Sequence, residues 1–407
     1  MREMKDSGIE WIGAIPQDWQ LSKIGNLYTQ RNEKVSDKDY QPLSVTMQGI
    51  LPQLATAAKT DDGDNRKLVR VGDFAINSRS DRRGSCGISP LDGSVSLINI
   101  ILTPRTAMHP GYYNWLFNTT LFADEFYKWG HGIVADLWTT RWQEMKSITV
   151  PVPEYAEQER IAAFLDAECA VIDAVLEKTR ASIEEYKKLK QAVITQAVTK
   201  GIRGDRPMKD SGIEWIGEIS QDFEIVKLKW LCDVLDQFRS PVTADKRNQN
   251  ADVLYDYYGA SGAIDKIDGY TIDDHVMLIG EDGANLRMRN LPIMYEINGK
   301  AWVNNHAHIL KPKAGVDFYF IFYALEALDL NYYITGSAQP KLSQDNLRNI
   351  WVPITDFTGQ KRIAAYISDV CDEFDCLIAK KQQYLTEIEN YKKSLIYEYV
   401  TGKKEVV

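Results

Sequence analysis

Two stretches of the chain carry apolar residues at alternating spacings of four and three, the pattern of a helix that buries one stripe along its whole length. The first runs Ile161, Leu165, Cys169, Ile172, Leu176, Ile183, Tyr186, Leu189 and Val193, with Thr179 or Arg180 at a break. The second runs Ile363, Ile367, Val370, Phe374, Leu377, Tyr384, Ile388, Tyr391 and Leu395, interrupted only by Lys381. Neither contains Pro or an internal Gly, and each closes on Gly beside Lys, at Lys200-Gly201 and Gly402-Lys403, as a helix stop signal does. Each segment therefore predicts one continuous helix of about 37 residues, on the order of 55 Å long. A helix that long cannot bury its stripe alone. A stalk or a homodimer zipper would satisfy the pattern, but the chain supplies a partner of equal length, so antiparallel pairing of the two is expected, with Ile161, Leu165, Ile172, Leu176 and Ile183 facing Ile363, Ile367, Val370, Phe374, Leu377, Ile388 and Leu395.

The chain repeats itself. Met4 to Gly13 (MKDSGIEWIG) recurs identically from Met208 to Gly217, and QERIAAFLDAECAVID from Gln158 aligns with QKRIAAYISDVCDEFD from Gln360 at an offset of 202 residues (360 − 158). Arg160 meets Arg362, Cys169 meets Cys371 and Asp173 meets Asp375. Each copy reads as a short motif, a long variable region and a helix. The variable regions, roughly 20–147 and 224–350, share little beyond their approach to Val150-Pro151 and Val352-Pro353. Identity is thus kept in the scaffold and lost in the domain bodies. The boundaries expected are 1–150 and 204–350 for two α/β domains, with helices in 151–203 and 351–407, an α+β chain with an internal pseudo-two-fold repeat.

Strand-like runs ending in Gly- and Arg-bearing loops predict mixed α/β bodies. In the first, Val71 to Asn77 leads into Ser78-Arg79-Ser80-Asp81-Arg82-Arg83-Gly84. The second holds three Gly-containing loops separated by β-like runs: Tyr257 to Gly262, Ile279 to Arg289, and Gly336 to Lys341. Arg can grip guanine with two hydrogen bonds, while Asn, Gln and Ser serve adenine or phosphate. Candidate DNA contacts are Thr46, Gln48, Asn77, Arg79, Ser80, Arg82 and Arg83 in the first body, and Tyr258, Ser261, Asn285, Arg287, Arg289, Gln339 and Lys341 in the second.

Composition adds limits. The 407 residues carry a net charge of −9, and even locally the balance is 15 basic to 13 acidic over 20–147 and 13 to 17 over 224–350, so only the placement of basic residues could support DNA binding. Five cysteines without a CxxC pair argue against a disulfide framework and read as reduced thiols, mostly buried. No run approaches eighteen apolar residues, so a cytoplasmic protein is expected. Neither a GxxxxGK[ST] nor a GxGxxG loop occurs, nor an Asn-Pro-Pro-aromatic run; Glu185-Tyr186-Lys187 has nuclease-like spacing but lies on the helix. His306 and His308 lack further ligands at metal spacing, and Asp61, Asp62 and Asp64 lack an EF-hand loop, so no metal site is expected.

Lys5 to Gly13 with Ile15-Pro16 and Trp19, the junction Val150-Pro151-Val152-Pro153 leading to Glu157-Gln158 and Ile161 to Asp166, and Gly336 to Ser343 together resemble the conserved segments of type I restriction-modification specificity subunits across essentially the whole chain. The resemblance implies two target-recognition domains joined by two antiparallel helices, each domain reading half of a split DNA site, with helix length setting the gap. It also implies two methyltransferase subunits that bring S-adenosylmethionine and two motor-nuclease subunits that bring ATP and Mg, leaving this chain no cofactor and no catalytic residue. A self-contained methyltransferase or endonuclease, or a coiled-coil adaptor, are the other readings. The second junction departs from the first, with Thr358-Gly359-Gln360 where the first has Ala156-Glu157-Gln158.

Overall fold

A computed structural model describes residues 2–53, 63–132, 138–204, 206–247 and 252–406, the side chain of Ser80 excepted. The chain forms two compact units, Met1–Arg180 with Gln382–Val407, and Ala181–Lys381. Two long helices, a central one over Tyr155–Lys200 (46 residues) and a terminal one over Phe357–Val400 (44 residues), each contribute one half to each unit. They begin about six residues before the first periodic apolar position, because Glu154 and Asp356 each lead a turn that the period alone does not reveal.

The first unit opens with a hairpin, Met4–Asp6 against Ala14–Pro16, and Gln20–Lys23 then pairs with Thr149–Val152, so both ends of the variable region leave from one two-stranded clasp. Between them lies an antiparallel sheet in the order Cys86–Ile88, Phe74–Asn77, Asn99–Pro104, Tyr28–Arg31, beside a three-stranded sheet and the hairpin Leu43–Thr46/Gly49–Pro52. The run expected to begin its strand at Val71 starts only at Phe74: Val71 is exposed in a turn, whereas Phe74 to Asn77 are all buried. An aromatic core forms where the sheet meets helices Pro110–Phe117 and Thr120–Lys128, with the rings of Phe74 and Phe117 4.5 Å apart and those of Phe117 and Phe122 4.7 Å apart. Such tilted pairs add to the area they bury.

The second unit repeats the clasp: Met208–Asp210 pairs with Glu218–Ser220, and Glu224–Lys227 with Trp351–Ile354. The body it encloses is different. Six strands run in the order Cys232–Val234, Ala307–Pro312, Ile272–Gly280, Met294–Val303, Tyr255–Gly259, Gly262–Ile267, antiparallel except where Tyr257 lies parallel to Trp302. From Val276 to Ile279 the strand Ile272–Gly280 is apolar on both faces: Met277 and Ile279 pack under helix Phe318–Ala327, while Val276 and Leu278 join a second cluster with Ile297 and Ile309. Alternation along a strand buried on both sides produces that division.

Within each unit the helix halves pair antiparallel. In the first, Phe164 meets Tyr399 (ring centroids 4.4 Å), Asp173 meets Lys392 (2.6 Å) and Arg180 meets Glu389 (2.5 Å). In the second, Tyr186 meets Phe374 (6.1 Å) and Lys190 meets Asp375 (2.7 Å). The two Lys–Asp pairs are copies of one another, each Lys and each Asp displaced by the 202-residue repeat (392 − 190 and 375 − 173).

The seam itself departs from the periodic reading. Ile161, Leu165, Ile172, Leu176, Ile183, Ile363, Ile367 and Leu395 are buried, and Val370, Phe374 and Ile388 half-buried. Leu377, 43% exposed, is not on it, and Tyr384, Tyr391 and Leu189 are likewise exposed. A straight helix drifts about 20° per heptad against a strict seven-residue repeat, so positions two heptads on from Ile363 have rotated outward. Ile378, Lys381, Leu385 and Lys392 take the inward places, with the Lys381 ammonium 5.5 Å from the Tyr186 ring centroid. Thr179, buried in the first helix, returns its hydroxyl to the Val175 carbonyl at 2.8 Å.

Candidate nucleic-acid interface

In the first unit the arginine loop leaves the buried end of strand Phe74–Asn77. Asn77 is buried, its Oδ1 accepting the Arg79 N–H at 3.0 Å while its own carbonyl accepts the Tyr127 hydroxyl at 3.1 Å, so this side chain shapes the loop. Arg79 and Arg82 point to solvent, and Arg82 makes a long ion pair to Asp81 (3.7 Å). Arg83 pairs with Asp124 and lies over the Tyr127 ring at 5.9 Å. Ser80 falls within the short 3-10 turn Ser80–Arg82, its side chain outside the described residues. The hairpin tip bearing Thr46 and Gln48 comes close to the strand leaving this loop: a Cβ on Gly87 would stand 3.0 Å from the Gly49 Cα, an approach that two facing glycines permit. Thr46 Oγ1 accepts the Gln48 N–H (3.1 Å) and donates to the Gly49 carbonyl (2.9 Å), leaving the Gln48 side chain exposed.

The second unit brings its three Gly-bearing loops together. Gly280 sits so close to the Ala260 carbonyl that a Cβ would stand 2.9 Å from it, and the Gly283 N–H donates to the Pro340 carbonyl at 3.0 Å. Tyr258 is half-buried, its phenol raised above its ordinary range by burial, and Ser261, Gln339 and Lys341 are exposed. Asn285 is committed to its own loop, donating to the Leu291 and Pro292 carbonyls (3.0 and 3.2 Å) and accepting from the Leu291 N–H. Arg289, at a left-handed φ of 51°, turns inward and donates to the Glu326 and Leu328 carbonyls (2.9 and 3.0 Å), closing the C-terminus of helix Phe318–Ala327. Burial lowers its guanidinium below the usual range. Arg287 is exposed but donates to the Ile334 carbonyl at 3.0 Å.

Beneath these loops lies a charged cluster that the local sequence does not announce. Glu281, buried, accepts from Arg239 and from Lys341 (3.0 Å), and Arg239 also reaches Asp236 (3.2 Å). Fully buried His308 faces Asp236 Oδ2 at 2.7 Å and the Leu342 carbonyl at 2.8 Å, and Gln344 donates to the same aspartate at 2.9 Å. Burial alone would raise both carboxyls, yet hydrogen bonds from Arg239 and Lys341 to Glu281, and from His308 and Gln344 to Asp236, prevail and lower each below its ordinary value. His306, placed in the turn before strand Ala307–Pro312 and not on it, meets Asp282 at 2.8 Å. The cluster ties segments around residues 236, 281, 308 and 341 into one platform, and its signal in sequence is slight: an acid directly after an apolar strand.

Both units anchor their bodies to the helices in the same way. Gln158 Oε1 accepts the His109 N–H (2.9 Å) and its Nε2 donates to the Pro153 carbonyl (2.8 Å). Gln360 does the same to the Asp317 N–H (2.8 Å) and the Thr355 carbonyl (2.8 Å). Each thereby fixes the residue that caps the first helix following the sheet, His109 for Pro110–Phe117 and Asp317 for Phe318–Ala327.

The model for the type I restriction modification DNA specificity domain matches residues 220–389. The type I restriction enzyme MjaVIII specificity subunit of Methanocaldococcus jannaschii aligns at 24% identity over 425 positions, 96% of this chain and 94% of that one. The chain is thus similar to type I restriction enzyme specificity subunits along almost its whole length. A Haemophilus influenzae protein named as a specificity subunit of this class is 29% identical over 133 residues, 33% of each chain. Among solved structures, a chain from work on complex assembly and conformational transition of the type I R-M system superposes with a TM-score of 0.73 over 96% of this chain and 99% of that one; at 13% identity the likeness concerns the fold. In this chain two unlike bodies stand on one duplicated clasp. Among the described residues no helix is long and apolar enough to cross a membrane.

Proposed function

We propose that the chain is the DNA-reading subunit of a type I restriction-modification complex, each α/β body reading one half of a two-part duplex site. The observation that carries this reading is the pairing of sameness and difference. The clasp strands, the Gln158 and Gln360 anchors and the reciprocal Lys–Asp pairs are repeated, while the enclosed sheets differ in strand number and order. A repeated scaffold presents two bodies equivalently, and differing bodies read differing bases. Arg79, Arg82, Gln48 and Thr46 are the first body's contacts, and Tyr258, Ser261, Arg287, Gln339 and Lys341 the second's, set on the Glu281–Arg239–Asp236–His308 platform.

The helix pair is the ruler that sets the gap between half-sites. The chain is non-catalytic and works in the cytoplasm. Two methyltransferase subunits supply S-adenosylmethionine chemistry to a flipped adenine, and two motor-nuclease subunits use ATP and Mg. Fluorescence anisotropy of the chain with its methyltransferase partner, on selected against random duplexes, tests the reading: a preference of about a hundredfold or more is expected, and equal affinity for both would refute it.

A further inference from the structure

The two copies of the clasp differ at one position with a chemical consequence. In the first unit the Glu157 carboxylate, buried at the start of the central helix, is gripped by Arg2 (3.1 Å to Nη2, with a shorter bond from Nη1) and by the Trp19 indole N–H at 2.9 Å. Arg2 also pairs with Asp18 at 2.6 Å and lies over the Trp19 ring. The glutamate raises the Arg2 guanidinium further above its already high range. Carboxylate, guanidinium and indole close on one another in this corner.

The second unit keeps the frame and loses the carboxylate. Arg206 stands for Arg2, Asp222 for Asp18 and Phe223 for Trp19, each displaced by 204 residues as in the repeated motif (208 − 4), while Gly359 replaces Glu157. Arg206 retains its Asp222 partner. Where the glutamate would lie there is a solvent-reaching cavity of about 490 Å³, lined among others by Arg203, Arg206, Arg362, Asp222, Asp356 and Gly359. Asp356 is already engaged, accepting the Gly359 N–H at 2.8 Å, and Asp222 accepts from Arg206 and Ser220. Among the described residues, three guanidinium groups thus line the cavity with two carboxylates that are both in use, at a place where the sister copy holds a third carboxylate.

We propose that this cavity binds a small free carboxylate ligand. Its carboxylate takes the place of the missing glutamate side chain against Arg206. Phe223 offers no indole donor, so the second oxygen turns to Arg203 and Arg362, whose planar forks suit carboxylate oxygens. A cavity of about 490 Å³ exceeds one carboxylate, so a short dicarboxylic acid is the fitting class. In the first unit Glu157 already holds this place against Arg2 and Trp19, so that copy serves as the internal control.

Isothermal titration of the full chain with glutarate, with uncharged glutaramide and with inorganic phosphate tests the proposal. One saturable glutarate site is expected, with a dissociation constant on the order of 1 mM, no response to glutaramide and a weaker one to phosphate. Arg362→Gln, at an exposed position in the second turn of the terminal helix, should weaken glutarate about fivefold or more. Gly359→Glu should abolish binding by supplying the carboxylate in cis; a Cβ there meets Asp356 Oδ1 at 2.7 Å and Thr355 Cγ2 at 2.8 Å, so its folding is checked by circular dichroism and Arg206→Gln serves as the alternative. Absence of saturable binding, equal binding of phosphate, or binding undiminished in Arg362→Gln and in a folded Gly359→Glu or Arg206→Gln chain would overturn it. No DNA or partner enters the assay, so its outcome is independent of the DNA-reading role.

Discussion

Gln360→Ala is the most direct test of how the bodies are anchored. The Gln360 side chain, 2% exposed, spans the Asp317 N–H and the Thr355 carbonyl at 2.8 Å each. Truncation leaves a half-buried donor and a half-buried acceptor without their partner, and each such loss costs up to about 1–3 kcal/mol. Water reaching the vacated space offsets part of this, so a net loss of roughly 2–4 kcal/mol is expected, a large share of the 5–15 kcal/mol typical of a folded domain. In urea unfolding of the full chain that loss moves the second unit's transition down by on the order of 1 M at unchanged slope. Hydrogen exchange at the start of helix Phe318–Ala327 should accelerate with it, because Asp317 is that helix's N-cap and its carboxylate accepts the Phe320 N–H at 3.0 Å. Gln158→Ala should lose a similar amount in the first unit, through the His109 N–H and the Pro153 carbonyl. Gln360→Glu keeps the acceptor for Asp317 but turns an oxygen toward the Thr355 carbonyl, so it should fall near the alanine variant and well below wild type. A loss under about 0.5 kcal/mol for Gln360→Ala, or a Gln360→Leu chain as stable as wild type, would show that the bonds do not hold the body in place.

Neutralising Arg79 and Arg82 to Gln should weaken DNA binding and lower the slope of log affinity against log salt by about 0.9 for each phosphate that is no longer neutralised, whereas Arg83→Gln, already paired with Asp124, should do less; an unchanged slope counts against a groove-facing loop. Lys392→Asp should destabilise the first unit by about 0.5 kcal/mol plus the repulsion from Asp173, and Asp173→Lys in the same chain should recover most of it, as read by thermal melting; no recovery refutes the pairing. Asp236 and Glu281 are lowered in the folded state, so their contribution is present above the ordinary carboxylate range near pH 4 and is lost as pH falls through their lower folded values. Exchange of the Gly283 amide, bonded to Pro340, should therefore hold steady from pH 7 to about 5, after correction for intrinsic rates, and rise below about pH 4; flat protection down to pH 3 would contradict the platform.

The duplication, the long helices and the separation of scaffold from variable body follow from sequence alone, because identity at a fixed offset and apolar period are local properties that survive any choice of tertiary partner. Helix burial is legible as a period but not as a list. Leu377 and Tyr384 satisfy the heptad and face solvent, while Lys381 and Lys392 break it and lie on the seam, since the 3.6-residue turn accumulates an angle that a short pattern hides. The arginine loop could be picked out by its residues, yet which arginines are free to meet DNA was decided by distant atoms: Asp124 for Arg83, the Glu326 and Leu328 carbonyls for Arg289. The buried platform was wholly a matter of tertiary structure, because Glu281 finds Arg239 42 residues away and Asp236 finds Gln344 108 residues away. Sequence showed Gly359 as a departure from its copy; only the folded corner, with Arg2 and Trp19 closed around Glu157, turned that departure into a vacancy with a charge preference.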